Sequence, residues 1–271
     1  MLKGSITRLP RAVARRKIEA LTIAILGAGA AVGLANRDMS AAPPAVSSLL
    51  AREARSVTKP LAFVSVKKPV ATASATTSSA ARARLPMISH PRVDSWVQRF
   101  TTAQRGSMAV YLNRMNKYDD MISSKLAARG LPQDLIYLAM IESGFNPQAR
   151  SPVKASGLWQ FMAPTGKRFG LTVSRRVDER NNPARATDAA LSYLTYLYDK
   201  FGSWYLAAAA YNSGEGTVSK AMKRVVGRTR GTDADYYRIS PSLPKETRDY
   251  VPKLIAAAKI GNNPGRYGFV D

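Results

Sequence analysis

Apolar residues recur at helical spacing through most of residues 91–271, and no stretch alternates convincingly between apolar and polar residues as a strand would. The pattern predicts a helix from Ser107 to about Ala128, closed by Gly130, and another that starts at Pro132. Further helices are predicted at about 187–201, 203–211 and 217–226 and from 244 onward, with a short one at 164–169 inside a loop-rich stretch. The expected fold class is therefore all-α, in a compact helical domain.

The helix that starts at Pro132 carries an acidic residue on its apolar face. Leu135, Leu138, Ala139 and Glu142 fall at i, i+3, i+4 and i+7, which places them on one side of a helix. A carboxyl on a buried face loses solvation of its charged form, so its pKa rises, and it can then act as a general acid near neutral pH. The competing interpretation is a solvated surface glutamate near a helix end.

Two later segments add candidate binding chemistry. The segment GLWQFM at 157–162 combines aromatic and Met faces, which stack on sugar rings, with the amide of Gln160 as donor and acceptor. The competing interpretation is that Trp159 and Phe161 belong to the core. Tyr211 ends an Ala-rich apolar helix, and its hydroxyl needs a partner, which is either a protonated carboxyl such as Glu142 or a backbone group.

Composition excludes several classes of site. The 271 residues include no Cys and one His, so disulfides, thiolate metal sites and a Ser-His-Asp triad are ruled out. We interpret His90, which lies where a low-complexity stretch ends, as incidental. The net charge is +23, and 14 of the 41 Lys and Arg residues lie in residues 1–90. The basic residues are scattered rather than interleaved with aromatics along one helix face, which argues against a nucleic acid partner.

Residues 1–42 have the pattern of an export signal: a basic start, an apolar run at about 20–35 and then small residues. The alternative is an uncleaved membrane anchor through residues 20–35, and either one places the protein in the periplasm or the cell envelope. Residues 43–90 are rich in Ala, Ser, Thr, Pro and Val, and we expect a flexible tether there. The third predicted segment, 91–271, is the folded domain that carries the candidate acid Glu142.

Several segments, in order, resemble the lytic transglycosylase family, and within it the membrane-bound murein transglycosylase D type. The matching segments are GLP at 130–132, IESGFNP at 141–147, SPVKASGLWQFM at 151–162, DER at 178–180, AAAYNSGEG at 208–216, LPKET at 243–247 and YVPK at 250–253. The resemblance implies a lysozyme-like, goose-type helical domain. It also implies action on peptidoglycan glycan strands, within an anionic cell envelope.

The resemblance assigns roles residue by residue. It makes Glu142 the single catalytic acid and base, and Ser151 a serine that hydrogen-bonds near the scissile sugar. Gln160 and Phe161 match cleft residues, Tyr211 matches the tyrosine that contacts the catalytic glutamate, and Asn212 follows it in the motif. Lys154 departs from the family, which often has Gly there.

The implied reaction cleaves the MurNAc-β-1,4-GlcNAc bond without water and leaves 1,6-anhydro-MurNAc ends. It needs neither a metal nor an organic cofactor. Two alternatives stay open from the residues. Asp178 or Glu179 could serve as a second carboxylate, as in a hydrolytic muramidase, although local ion pairing with neighbouring Arg residues explains them better. The chain could also be a non-catalytic murein-binding module.

Overall fold

Helices account for most of residues 84–269, the part of the chain that the computed structural model describes. They are α1 (Pro91–Thr101), α2 (Arg105–Asn116), α3 (Asp119–Ala128), α4 (Ile136–Ser143), α5 (Ala163–Arg168), α6 (Pro183–Phe201), α7 (Trp204–Ser213), α8 (Glu215–Val226), α9 (Asp233–Ile239) and α10 (Lys245–Asn262). Short 3₁₀ turns lie at Gln133–Leu135, Glu179–Asn181, Ser240–Ser242 and Pro264–Tyr267. Isolated bridges are the only β pairing within this part of the chain, so the all-α prediction is confirmed.

Two helices occupy the centre of the fold. Along α7 the six residues from 205 to 210 are all buried, and this helix contacts α6, α8, α9 and α10. The small Ala side chains let these neighbours approach closely. The other central helix, α10, packs against α1, α4 and α7, so it runs beside the helix that carries the predicted acid.

An internal proline shapes α10. Pro252 has no N–H to give to the carbonyl of Arg248, four residues earlier, which would leave that carbonyl without its helical donor. The hydroxyl of Tyr236 donates to this carbonyl at 2.9 Å, and Arg92 of α1 donates at 3.3 Å. Contacts from α1 and α9 therefore replace the missing bond and fix α10 in place.

Some predicted helix boundaries are wrong. The single helix expected over 107–128 is two helices, because the chain turns at Lys117 and Tyr118. The acidic pair Asp119 and Asp120 at the start of α3 favours a new helix N-terminus there. Helix α6 begins at Pro183, four residues before its predicted start, since the Asn182 side chain caps it by accepting from the N–H of Arg185. Helix α9 has no counterpart among the predicted helices.

Residues 84–90, assigned to the tether in the sequence, lie against the helical domain. Leu85 is buried, and its N–H donates to Asp134 at 2.8 Å. Arg84 forms an ion pair with the same carboxylate at 2.8 Å, and the hydroxyl of Tyr205 donates to the carbonyl of Pro86. The predicted signal and most of the predicted tether lie outside the described residues. No helix within 84–269 is both long and apolar enough to cross a bilayer.

Candidate active site

The predicted acid, Glu142, is delivered by the last turn of α4. Leu135 to Ile141, which lead up to it, are all buried, whereas Glu142 itself is partly exposed at the helix end. Gly144 follows with φ 56°, and a Cβ there would lie 2.1 Å from the ring of Tyr111 in α2. A side chain at 144 is therefore excluded both by the left-handed backbone and by the close approach of α2, so the helix ends here.

The hydrogen-bond partner of Glu142 is Tyr250, a residue that the sequence analysis did not place in the site. Its hydroxyl donates to Oε1 of Glu142 at 2.5 Å, from α10 to α4. In the sequence, Tyr250 falls on the apolar stripe of the last helix with Leu254 and Ala258, which favours a core position. The motif YVPK at 250–253 belonged to the resemblance but carried no assigned role.

The environment of Glu142 prepares it for proton transfer. Burial of the carboxyl raises the pKa of Glu142 from its ordinary value of 4.5 to about 7. The hydrogen bond from Tyr250 and the positive charge of Lys253 lower this pKa, and the negative charge of Glu246 raises it. A carboxyl with a pKa near neutrality is able both to give and to take a proton at physiological pH.

The hydroxyl of Tyr211 bonds a backbone group and not Glu142, the other partner that the sequence left open for it. Its hydroxyl donates to the backbone carbonyl of Trp159 at 2.8 Å, which is the backbone alternative considered in the sequence analysis. It still lies near the acid, because burial, followed by the charge of Glu142, raises the pKa of Tyr211 well above its usual value of 10. The tyrosine that bonds Glu142 is Tyr250.

Phe161 and Tyr211 belong to one aromatic cluster beside the acid. Their ring centroids are 6.3 Å apart, and Tyr193 of α6 packs against both, at 6.4 Å from Phe161 and 5.2 Å from Tyr211. Phe161 is 2% exposed, so it supports the cluster from within, whereas Tyr211 is partly exposed. The core interpretation therefore describes Phe161, and the same is true of the fully buried Trp159.

Gln160 shapes the loop between α4 and α5. Its φ is 47°, and its side-chain amide donates to the carbonyls of Ala149 and Gly157 at 3.1 and 2.9 Å. Within residues 84–269 its side-chain carbonyl oxygen accepts no hydrogen bond. The role of Gln160 as a cleft residue that binds substrate stays a prediction.

Ser151 has a contact within its own loop. Its hydroxyl accepts from the N–H of Ala155 at 3.0 Å, and its backbone N–H donates to the carbonyl of Ala155 at the same distance. Lys154 in this turn has φ 67° and is exposed. A left-handed backbone explains why glycine suits that position in the family, and here it carries a positive side chain outward.

Asn212 links α7 to the start of α10. Its carbonyl oxygen accepts from the hydroxyl of Thr247 at 2.8 Å, and its amide donates to Glu246 at 3.3 Å. Because the charge of Glu246 acts on Glu142, Asn212 lies in the second layer of groups around the acid rather than against it. Its predicted contact with substrate stays a prediction.

The carboxylates proposed as a second catalytic group are held by cations. Asp178 accepts from two nitrogens of the buried Arg180 guanidinium, at 2.9 and 2.7 Å, and this hydrogen bond leads the causes that lower its pKa. Glu179 accepts from the N–H of Thr172 at 2.6 Å and pairs with Arg185, and its pKa is lowered too. Both carboxylates are therefore ionised and bound by their local hydrogen-bond and ion-pair partners, as the local ion-pairing interpretation expects.

Part of the chain is similar to known proteins. Residues 120–232 match the family model described as "Transglycosylase SLT domain". The chain is 40% identical over 156 residues to the membrane-bound lytic murein transglycosylase D of Escherichia coli K12, covering 57% of this chain and 34% of that protein. It is 32% identical over 146 residues to the soluble lytic murein transglycosylase of the same strain, covering 51% and 22%.

Among solved structures, the 70 kDa soluble lytic transglycosylase of Escherichia coli is similar, with 25% identity and a TM-score of 0.47. That match covers 65% of this chain and 31% of the neighbour. The chain thus spans about a third or less of each of these three relatives.

Among residues 84–269, the site combines a carboxyl with a pKa near neutrality, at a helix end, with an aromatic cluster beside it. This arrangement suits proton transfer to and from a bound ligand. Residues 120–232 of the chain match the transglycosylase SLT domain, so the family resemblance seen in the sequence is confirmed over that part.

Proposed function

We propose that the protein is a peptidoglycan lytic transglycosylase that cleaves the MurNAc-β-1,4-GlcNAc bond without water and leaves 1,6-anhydro-MurNAc ends. The observation that carries the proposal is the Glu142 carboxyl, with a pKa of about 7 and one hydrogen bond from Tyr250. The match of residues 120–232 to the SLT domain supports it, as does the similarity to relatives named lytic murein transglycosylases.

In this mechanism one carboxyl performs both proton transfers. Protonated Glu142 gives its proton to the glycosidic oxygen while the bond from that oxygen to C1 of the MurNAc unit breaks. The resulting carboxylate takes the proton of the C6 hydroxyl as O6 bonds to C1 and closes the anhydro ring. Glu142 ends as it began, protonated, and the sugar supplies its own nucleophile. Tyr250 holds the carboxyl through both steps.

Hydrolysis by a muramidase mechanism is the alternative, and it needs a base or nucleophile to accompany the acid. The two candidates, Asp178 and Glu179, are engaged by Arg180 and Arg185. The third candidate, a silent binding module, gives no reason for a carboxyl to be held at a pKa near 7. We therefore favour the lyase reaction.

The proposed setting is the periplasm or cell envelope, with glycan strands as the partner and no nucleic acid. The net charge of +23 favours an anionic envelope, where peptide stems and surface polymers carry carboxylates and phosphates. We propose that residues 20–35 either direct export or associate the protein with the inner membrane.

Mass spectrometry of the products released from purified sacculi tests the proposal. The native protein and the matched variant Glu179→Gln should both release fragments that end in 1,6-anhydro-MurNAc. Glu142→Gln should bind sacculi and release none. Reducing MurNAc ends from the native protein would establish hydrolysis instead, and full activity of Glu142→Gln would remove Glu142 from the mechanism.

A further inference from the structure

Lys253 lies one helical turn after Tyr250 on α10, and its ammonium group points at the helix that carries the acid. Nζ donates to the backbone carbonyl of Ile141 at 3.1 Å. Ile141 is in the last turn of α4, where carbonyls have no donor from within the helix. A cation at this end also interacts favourably with the helix dipole.

Lys253 is a partly buried cation without an ion-pair partner among the described residues. It is half-buried, and it forms no ion pair with a carboxylate anywhere in residues 84–269. Partial loss of hydration costs free energy for a lysine without a carboxylate partner, and here the contacts with Ile141 and Trp96 offset part of that cost. Burial lowers the pKa of Lys253, while the negative charges of Glu142 and Glu246 raise it.

Helix α1 closes the other side of the ammonium group. Nζ of Lys253 lies 5.7 Å from the ring centroid of Trp96, and the guanidinium of Arg99 lies 5.2 Å from the same centroid. The indole therefore carries two cations, and the charge of Arg99 further lowers the pKa of Lys253. The ammonium group of Lys253 therefore contacts α1 as well as the end of α4.

We propose that Lys253 is a positioning residue for the reaction, which fixes the helix end that bears Glu142 and supplies the positive charge that lets this carboxyl release its proton. This inference rests on the proposed function, in which Glu142 must both give and take a proton. Without a nearby cation, a carboxyl in this environment would hold its proton more tightly and would give it less readily to the glycosidic oxygen.

Among residues 84–269, the charged and titratable groups that act on Glu142 come from two helices. From α10 come Tyr250, Lys253 and Glu246, and from α7 comes Tyr211, which is neutral at physiological pH. Two of them carry charge and act in opposite directions: Lys253 lowers the pKa of Glu142, and Glu246 raises it. Removing them one at a time should therefore shift the pH dependence of activity in opposite directions.

The experiment is the pH profile of kcat/KM on soluble glycan strands, with anhydro ends counted by chromatography. The acid step needs protonated Glu142, so activity falls as pH rises through its pKa. In Lys253→Met and Lys253→Gln this alkaline limb should move up by on the order of one pH unit. It should stay in place in Lys253→Arg and in Lys259→Met, a lysine elsewhere on α10. It should move down in Glu246→Gln.

Reaction rates of the Lys253 variants distinguish the effect of its hydrogen bond to Ile141 from the effect of its charge. Lys253→Gln retains a donor for the carbonyl of Ile141, whereas Lys253→Met does not, so Met should be slower than Gln by roughly tenfold at each optimum. Thermal unfolding identifies a variant that fails to fold. If the Met variant is lost in this way, the Gln, Arg and Glu246→Gln profiles still decide the question.

An alkaline limb that stays in place in Lys253→Gln, while Glu142→Gln is inactive, would overturn this inference and leave the proposed function intact. A fully active Glu142→Gln would instead overturn the proposed function itself. The two failures are therefore distinguished by variants at different positions.

Discussion

The hydroxyl of Tyr250 donates a 2.5 Å hydrogen bond to Oε1 of Glu142, across 108 positions of sequence. The bond joins the end of α4 to the first half of α10. It favours the ionised carboxyl, whereas burial favours the protonated one, and the pKa of about 7 is where these opposed effects meet. The bond also fixes the direction of the carboxyl, which a proton transfer requires.

Replacing Tyr250 by Phe should reduce kcat by roughly tenfold or more, because a hydrogen bond to a charged group contributes about 1.5–3 kcal/mol. The pKa of Glu142 should rise when the donor is lost, so the alkaline limb of the pH profile should move upward. Steady-state rates across pH on glycan strands measure both effects.

The matched control is Tyr237→Phe. The hydroxyl of Tyr237 is buried and has no hydrogen-bond partner within the described residues, while its ring stacks on His90 with centroids 4.5 Å apart. Its removal should leave both the rate and the pH profile unchanged. If Tyr250→Phe behaved like this control, the hydrogen bond would have no part in the reaction.

Glu142 should destabilise the fold above neutral pH. Its pKa is about 7 in the folded protein and near the ordinary 4.5 when unfolded, so between these values the folded state binds more protons. Stability must then fall as pH rises through that window. Glu142→Gln removes this effect and retains an acceptor for Tyr250. At pH 8 the variant should be more stable by about 1–3 kcal/mol, and at pH 4 the difference should vanish.

Urea unfolding at a series of pH values measures this difference, and Glu179→Gln gives the opposite sign. The pKa of Glu179 is lowered by its hydrogen bond from Thr172 and by Arg185. Its contribution is present above the unfolded pKa and is lost as pH falls through the folded one, so this variant should lose stability at neutral pH. Equal stability of Glu142→Gln and the native protein at pH 8 would contradict the raised pKa.

Much of the architecture follows from local sequence. The spacing from Leu135 to Glu142 correctly places the acid at a buried helix end, and the Ala-rich run correctly predicts α7. These features depend on residues within a few helical turns of one another in the sequence, and such local patterns appear as periodic spacing of apolar residues. The break at Tyr118 was missed because both halves keep the same apolar spacing, and only the turn between them changes direction.

The partner of Glu142 could not be found in this way. Tyr211 and Tyr250 both end up beside the acid, and both are tyrosines on apolar helices. Which hydroxyl reaches the carboxyl depends on how α7 and α10 pack on α4, and on Pro252, whose missing N–H is compensated by other helices. A pairing set by packing over such separations leaves no periodic signal in the sequence.

Tyr211→Phe should therefore behave differently from Tyr250→Phe. The lost bond joins Tyr211 to the carbonyl of Trp159, so the free energy of unfolding should fall by about 1 kcal/mol. Tyr211 is neutral at physiological pH, and its removal changes no charge near Glu142, so the alkaline limb should not move. An upward shift like that of Tyr250→Phe would mean that Tyr211 bonds the acid in the working enzyme.

Residues 84–90 should contribute to the stability of the helical domain. Leu85 is 3% exposed, and its N–H is one of three donors to the fully buried Asp134, with Arg84 and Asn262 as the others. Leu85→Ala in the full chain should lower the free energy of unfolding by about 2–3 kcal/mol, as expected for a buried leucine. Met87→Ala, at a position 36% exposed, should change it by less than about 0.5 kcal/mol. Chemical unfolding of the two variants measures the difference. If Leu85→Ala were as stable as Met87→Ala, residues 84–90 would belong to the predicted tether, and the domain would start at residue 91.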